Sequence, residues 1–220
     1  LNALHLAGGE ASTGALIDYE RDTPARMAAL RTQFEAGVDP AFEDWLAGQD
    51  AALHRFALHQ ALSDRHGPFW TDWPAALQEP DRLDAAQVAP SDIRFHAWLQ
   101  FAAERALLTA QDRAKASGMT QGLYLDLAVG THPAGAETWE DRDSFAYGAS
   151  LGAPPDAFSA EGQNWQLAAF NPLALRARAY APLAETLRRQ LRFAGLLRID
   201  HILGFERSFW VPDDAPGAYV

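Results

Sequence analysis

The chain has 220 residues, 48% of them hydrophobic and 21% charged; that supports a sizeable core in one large domain, or one and a half, and excludes a disordered protein. Its 18 Lys and Arg stand against 29 Asp and Glu, a net charge of -11, which excludes the cationic footprint that nucleic acid or an anionic membrane surface requires. The complete absence of cysteine removes disulfides, thiolate metal sites and cysteine nucleophiles, and leaves neutral ligands as the open class.

In chain order, the N-terminal third reads as helical. In "DTPARMAALRTQFEAG", Thr23 suits a cap, Pro24 the first helical position and Gly37 the stop. "DPAFEDWLAG" predicts a second, short helix capped by Asp39. "DAALHRFALHQALSDRHG" predicts a third, ended by Gly67, with Leu53, Phe56, Ala57 and Gln60 at helical spacing. Over residues 68–90 the repeated prolines, with Trp70 and Trp73 between them, predict short turns and helices lying over a surface. A long helix is predicted over about 91–117, with Phe95, Trp98, Leu99, Ala102 and Ala106 as one apolar stripe and Gly118 beyond its end.

"GLYLDLAV", residues 122–129, reads as a buried parallel strand. Residues 130–170, rich in Gly, Pro, Ser and Asp, read as one long loop, and a loop of that length in a compact domain signals function. Two helices follow at about 172–179 and 182–193, split at Pro182, and "LLRIDHI" is then a second buried strand. Strand, loop, helix and strand form a βαβ crossover behind a helical block, the pattern of an α/β fold. Two strands do not finish a sheet, so further strands are expected outside these residues. A start at Leu1 rather than Met agrees with an internal piece of a longer protein. With no apolar run of transmembrane length and no signal-peptide pattern, a cytoplasmic location is expected.

The candidate chemistry lies where charge interrupts apolar strands. Arg198 and Asp200 in "LLRIDHILGFE" project to one face of their strand. The cation favours the carboxylate form of its neighbour, at the end of a parallel strand, where α/β folds place their sites. Such a group serves as nucleophile or base; the same spacing equally makes a buried structural ion pair. His201 stands at the strand's end and can turn into the same mouth. Asp126, near the end of "GLYLDLAVG", reads as a second carboxylate there or as a cap for the following loop. "GAPPDAFSAEGQNW" combines stiffening Pro154 and Pro155 with hydrogen-bonding Asp156, Ser159, Gln163 and Asn164 and the flat faces of Phe158 and Trp165. That mixture suits a sugar, or an ordinary packed surface loop. The seven histidines (His5, His54, His59, His66, His96, His132 and His201) show no metal spacing. No phosphate-binding loop, dinucleotide fingerprint or serine elbow occurs, and neither metal nor cofactor is expected.

Three strings together carry a resemblance: "GLYLDLAVG", "GAPPDAFSAEGQNW" followed by "FNPLALRA", and "LLRIDHILGFERSFWVP". They resemble the amylomaltases, the 4-α-glucanotransferases of the α-amylase clan, over about residues 91–220. "GALIDYERD" is similar to the family segment that precedes a helical insertion, and the helical block is similar to that insertion. The resemblance implies an α/β chain that is part of a (β/α)8 TIM barrel with an α-helical insertion subdomain. Residues 1–90 would supply the N-terminal segment and insertion, and 91–220 a partial catalytic barrel with a substrate-covering loop. It implies transfer of α-1,4-glucan segments between maltodextrins by a retaining double displacement.

Carried over residue by residue, Asp200 is the nucleophile and Arg198 holds it ionised and oriented. His201 hydrogen-bonds the adjoining sugar, and Asp126 lies in the same mouth. Asp156, Phe158, Ser159, Gln163 and Trp165 belong to the loop that contacts the glucan. A retaining enzyme needs a second carboxyl group roughly 5–5.5 Å from the nucleophile. The resemblance puts that acid/base on a later strand, because Glu206 stands too close along the chain. The rest of the same polypeptide is therefore the partner expected to complete the barrel, and these residues alone are expected to be inactive. Maltodextrin is the implied substrate, with no nucleic acid and no membrane partner. Two departures from the family pattern stand out. "QLAAF", with Gln166, Ala168 and Ala169, replaces a stretch where many members have a glycine and two prolines, and Ala157 stands where some have a sugar-stacking tyrosine. Two other classes stay open: a non-catalytic glucan-binding or structural module, and a metal-dependent Asp–His hydrolase, which would lack its His-x-His pair.

Overall fold

The computed structural model describes residues 16–83 and 88–220. His5, and Gly14 and Ala15 of the "GALIDYERD" string, lie outside the described residues. The described chain divides into two compact units, 16–61 with 88–110 and 62–83 with 111–220.

The first unit is helical. Its α1 (Tyr19–Glu35) starts earlier than the prolines suggest. Asp18, not Thr23, caps it, accepting from the Arg21 amide at 3.1 Å, and Pro24 lies inside the helix. Glu20 and Asp22 in the first turn explain the shift, since acidic side chains favour the positive end of a helix. α2 (Ala41–Ala47) has Pro40 rather than Asp39 as its N-cap residue; Asp39, one place earlier, still supports the start, its Oδ1 accepting from the Ala41 amide at 2.9 Å. α3 (Ala51–His66) stops at Gly67, and α4 (Pro90–Ala116) is the predicted long helix. The core is aromatic: Phe42, Phe95, Trp98 and Phe101 are buried with Leu30 and Ala57. Phe34 meets Phe95 edge-on at 5.6 Å, and the Arg31 guanidinium lies 3.9 Å from the Phe95 centroid while pairing with Asp92 at 3.1 Å. Of the predicted stripe, Phe95, Trp98 and Ala102 are buried and Leu99 is half-buried, but Ala106 is exposed.

The second unit is mixed α/β. Its strands and helices in order are β1 (Tyr124–Leu127), α5 (Ala136–Glu140), β2 (Phe145–Ala153), β3 (Gln163–Phe170), α6 (Pro172–Ala177), α7 (Ala181–Leu191), β4 (Leu196–Ile199), β5 (Phe209–Pro212) and β6 (Ala218–Tyr219). β1 and β4 form a parallel pair, with Asp126 opposite Arg198. The other four make an antiparallel sheet in the order β3-β2-β5-β6. Residues 130–170 are therefore not one loop: α5 and the β2–β3 hairpin occupy most of them. "FAYGASLGA" is too rich in Gly and Ala to show an alternation, and pairing on both sides makes it a strand.

The short helical turns predicted from residue 68 are present, at Trp70–Asp72, Ala75–Leu77 and Pro80–Arg82, and the tryptophans among them are buried. Trp70 Nε1 donates to Thr138 Oγ1 at 3.0 Å and Trp73 Nε1 to the Gly67 carbonyl at 2.8 Å, while Trp139 Nε1 donates to the Leu77 carbonyl at 3.0 Å. With each indole N–H satisfied, the rings can be taken out of water. Strands β1 and β4 are parallel as predicted but not buried: Tyr124 is 64% and Leu196 47% exposed, on the face that carries Asp126 and Arg198. Both strands start from one anchor. The buried Gln111 side chain on α4 accepts from the Leu123 amide at 2.5 Å and donates to the Gln121 carbonyl at 3.2 Å, and the Gly195 amide donates to the Leu123 carbonyl at 3.1 Å.

Candidate active site

Pairing and alternation together decide what stands at the strand ends. The β1–β4 register sets Asp126 across from Arg198, and Asp200 follows two residues later on the same face. Arg198 bridges the two carboxylates, with Nη1 2.5 Å from Asp126 Oδ2 and Nη2 3.0 Å from Asp200 Oδ2. All three side chains are about half exposed, so this is not the buried ion pair that the spacing also allowed. An exposed pair adds little to stability; its effect here is on protonation and aim. The backbone N–H of His201 donates to Asp200 Oδ1 at 3.0 Å. That bond, followed by Arg198, holds the Asp200 carboxyl below the usual carboxylate range. Asp126 and then Asp200 raise the Arg198 guanidinium above its ordinary value. Asp200 is thus an ionised group whose two oxygens are held by different donors, which limits its rotation.

His201 leaves the strand by adopting the left-handed region, φ 51° and ψ 49°, which few non-glycine residues do. The turn swings its ring out of the strand's alternation and onto Trp165, edge to face, with centroids 5.1 Å apart and planes at 87°. Its Nε2 is shielded from solvent and has no hydrogen-bond partner among the described residues.

Trp165 reaches that position through a bulge. Pairing runs from Leu151↔Leu167 to Gly152↔Asn164, so Trp165 and Gln166 are extra residues on β3, and Gln166 has φ 55°. The indole N–H donates to Gln163 Oε1 at 3.0 Å. The loop joining β2 to β3 is held by its own polar groups. Asp156 Oδ1 accepts from the amides of Phe158 and Ser159 at 2.8 and 2.7 Å, and Ser159 Oγ donates to the Gly162 carbonyl at 2.6 Å. Phe158 at the tip is 100% exposed.

Of the residues singled out from sequence, Asp126, Arg198, Asp200, His201 and Trp165 form one connected constellation, with Gln163 behind Trp165. Asp156, Phe158 and Ser159 stand apart from it on the loop, where Asp156 and Ser159 act first as loop supports. A cleft of about 410 Å³ opens beside the turn, bordered by Asp200, His201, Thr131, Glu137, Tyr180 and Gln190. Asp126 and Trp165 do not border it. The Thr131 hydroxyl donates to the Glu137 carboxylate. Glu137, Tyr180 and Gln190 went unread because single polar residues on a short helix, in a turn or on an amphipathic helix look like ordinary solvated surface; only the fold brings them to the border of one cleft. Among the described residues no group of three His, Asp or Glu side chains could hold a metal ion. Likewise, no helix among them is long and apolar enough to cross a membrane.

A family model described as 4-alpha-glucanotransferase matches residues 2–220. The chain belongs to that family. The 4-alpha-glucanotransferase of Mycobacterium tuberculosis is 38% identical over 214 residues, which is 93% of this chain and 30% of that protein. That of Haemophilus influenzae is 39% identical over 174 residues, 76% of this chain and 25% of that one. The chain thus spans about 30% of the length of the first of these 4-alpha-glucanotransferases and less of the second. The crystal structure of amylomaltase from Corynebacterium glutamicum superposes with a TM-score of 0.77 at 30% identity, covering 93% of this chain and 28% of that one. An amylomaltase from Streptococcus agalactiae in complex with acarbose gives 0.79 at 19% identity, covering 93% and 45%, a likeness of fold. The amylomaltase resemblance carried by the "GLYLDLAVG", "GAPPDAFSAEGQNW" and "LLRIDHILGFE" strings is borne out.

Proposed function

We propose that this chain is the nucleophile-bearing part of a 4-α-glucanotransferase that moves α-1,4-glucan segments between maltodextrins with retention. The observation that carries the reading is Asp200: a carboxylate at the end of a parallel strand, kept ionised by the His201 amide and by Arg198. Asp200 would attack the anomeric carbon of a bound glucan. The bond from that carbon to the leaving 4-oxygen breaks, the leaving oxygen takes a proton from an acid/base carboxyl elsewhere in the polypeptide, and a glucosyl ester forms on Asp200. The 4-hydroxyl of an acceptor glucan then displaces Asp200 and returns its proton to the acid/base.

Arg198 keeps Asp200 a base too weak to hold a proton but still a nucleophile. Asp126 shares the guanidinium and stops Arg198 from closing fully over Asp200. His201, Trp165 and Phe158 offer a hydrogen-bonding edge and two apolar faces to sugar rings. Gln163 orients Trp165, and Asp156 and Ser159 stiffen a loop that covers the intermediate and keeps water from it. In this reading β1 and β4 are neighbouring strands of a (β/α)8 barrel completed by the rest of the polypeptide, the helical unit is its insertion subdomain, and the protein works in the cytoplasm.

The test is Asp200→Asn in the intact polypeptide with maltotriose as sole substrate. The wild type should build a ladder of longer maltodextrins. The amide is nearly isosteric but a poor nucleophile, so the variant should lose more than about 10³-fold in kcat with its melting temperature unchanged. Near wild-type disproportionation in the variant would overturn the assignment.

A further inference from the structure

We propose that Asn164 is a positioning residue for the nucleophile, acting through the bulge that aims Trp165. The inference rests on the transfer reading above and adds a residue that makes no contact with the reacting atoms. Asn164 Oδ1 accepts from the Gln166 amide at 2.9 Å. This side-chain turn closes the backbone around Trp165 and supports Gln166 at φ 55°, a conformation that a glutamine does not hold without help. The extra residues of the bulge are what turn Trp165 off the regular face of β3. The ring then packs edge-on against His201, itself left-handed at φ 51°.

The ring that packs on Trp165 and the amide that donates to Asp200 Oδ1 belong to one residue, so a displacement of the His201 backbone moves both. A chain of single contacts thus runs from Asn164 through Gln166, Trp165 and His201 to Asp200. Glycine reaches positive φ without strain, whereas Gln166 at φ 55° does so with the Asn164 side chain closing the turn beneath it.

The experiment compares Asn164→Ala with the double variant Asn164→Ala, Gln166→Gly in the intact polypeptide. Two readouts are taken: maltotriose disproportionation over a range of pH, and the NMR resonance of His201 in isotopically labelled protein, identified by its loss in His201→Gln. Asn164→Ala should shift the His201 resonance, lower kcat on the order of tenfold with little change in KM, and move the acid limb of kcat/KM to higher pH as Asp200 loses its amide donor. Adding Gln166→Gly should restore all three. An unmoved resonance and rate in Asn164→Ala would overturn the proposal. So would a rate loss that glycine at 166 does not repair, which would make Asn164 a direct sugar contact or a merely structural residue. If the wild type transfers no glucan, the transfer reading fails, but the shift and its rescue still decide whether Asn164 positions His201.

Discussion

Two titrating side chains in this molecule are pushed down for opposite reasons, and they answer to pH differently. His59 on α3 is 2% exposed, and burial lowers its imidazole from 6.5 to about 4. Between those values the unfolded chain binds a proton that the folded chain refuses. Stability is therefore complete above about pH 6.5 and declines as pH falls toward 4, by up to about 3 kcal/mol. Urea unfolding at pH 7.5 and at pH 5 should show the wild type losing clearly more stability than His59→Gln; equal losses would mean that His59 titrates normally. Asp200 is lowered instead by donors, the His201 amide first and Arg198 second. Its ionised form persists to lower pH than that of an ordinary aspartate. Because Asp200 is exposed to solvent, that shift bears on the availability of the proposed nucleophile rather than on the fold.

At the scale of elements, what the chain's pattern revealed and what it concealed divide by physical cause. The helices were legible because their stripes, caps and stops are local: Asp39, Gly67 and Gly118 sit where their chemistry requires. Pro24 misled because the acidic turn before it already starts the helix. The β2–β3 hairpin was hidden by its glycines and by a two-residue bulge at Trp165 and Gln166, which breaks the alternation that identifies a strand. Arg198 and Asp200 were legible as a pair from spacing alone. That Asp126 completes the pair as a triad depends on a register no local rule contains. Gln111 was invisible for a related reason: on a long helix it reads as surface, yet its amide pins the start of β1. The same anchor makes Gly195 sensitive. A Cβ there would run into the Gln121 carbonyl oxygen, a backbone atom with no freedom to swing aside. Gly195→Ala should cost about 3 kcal/mol and shift the ends of β1 and β4 with it. Calorimetry that finds an unchanged melting temperature would show that the strand start is looser than drawn.

For the molecule as a whole, the parallel pair carries the candidate site but, among the described residues, does not finish a sheet. Among the described residues β1 and β4 pair only with each other, and Tyr124 and Leu196 lie open. Produced by itself, the 220-residue chain should leave maltotriose untouched and self-associate through those edges. Chromatography of the products and sedimentation of the protein check both. Steady turnover that vanishes in Asp200→Asn would place the acid/base within these residues and refute the proposed division of labour. The register that joins the site also decides when it can exist. Asp126 meets Arg198 across 72 residues of chain, and β2 stays incomplete until β5 arrives. Contacts of such long sequence separation form slowly. On the ribosome α1, α2 and α3 can form from near neighbours as they emerge, whereas the first strand waits with an open edge while the hairpin and three helices are made. That interval is when the nascent chain is most exposed to misassembly and most in need of a chaperone.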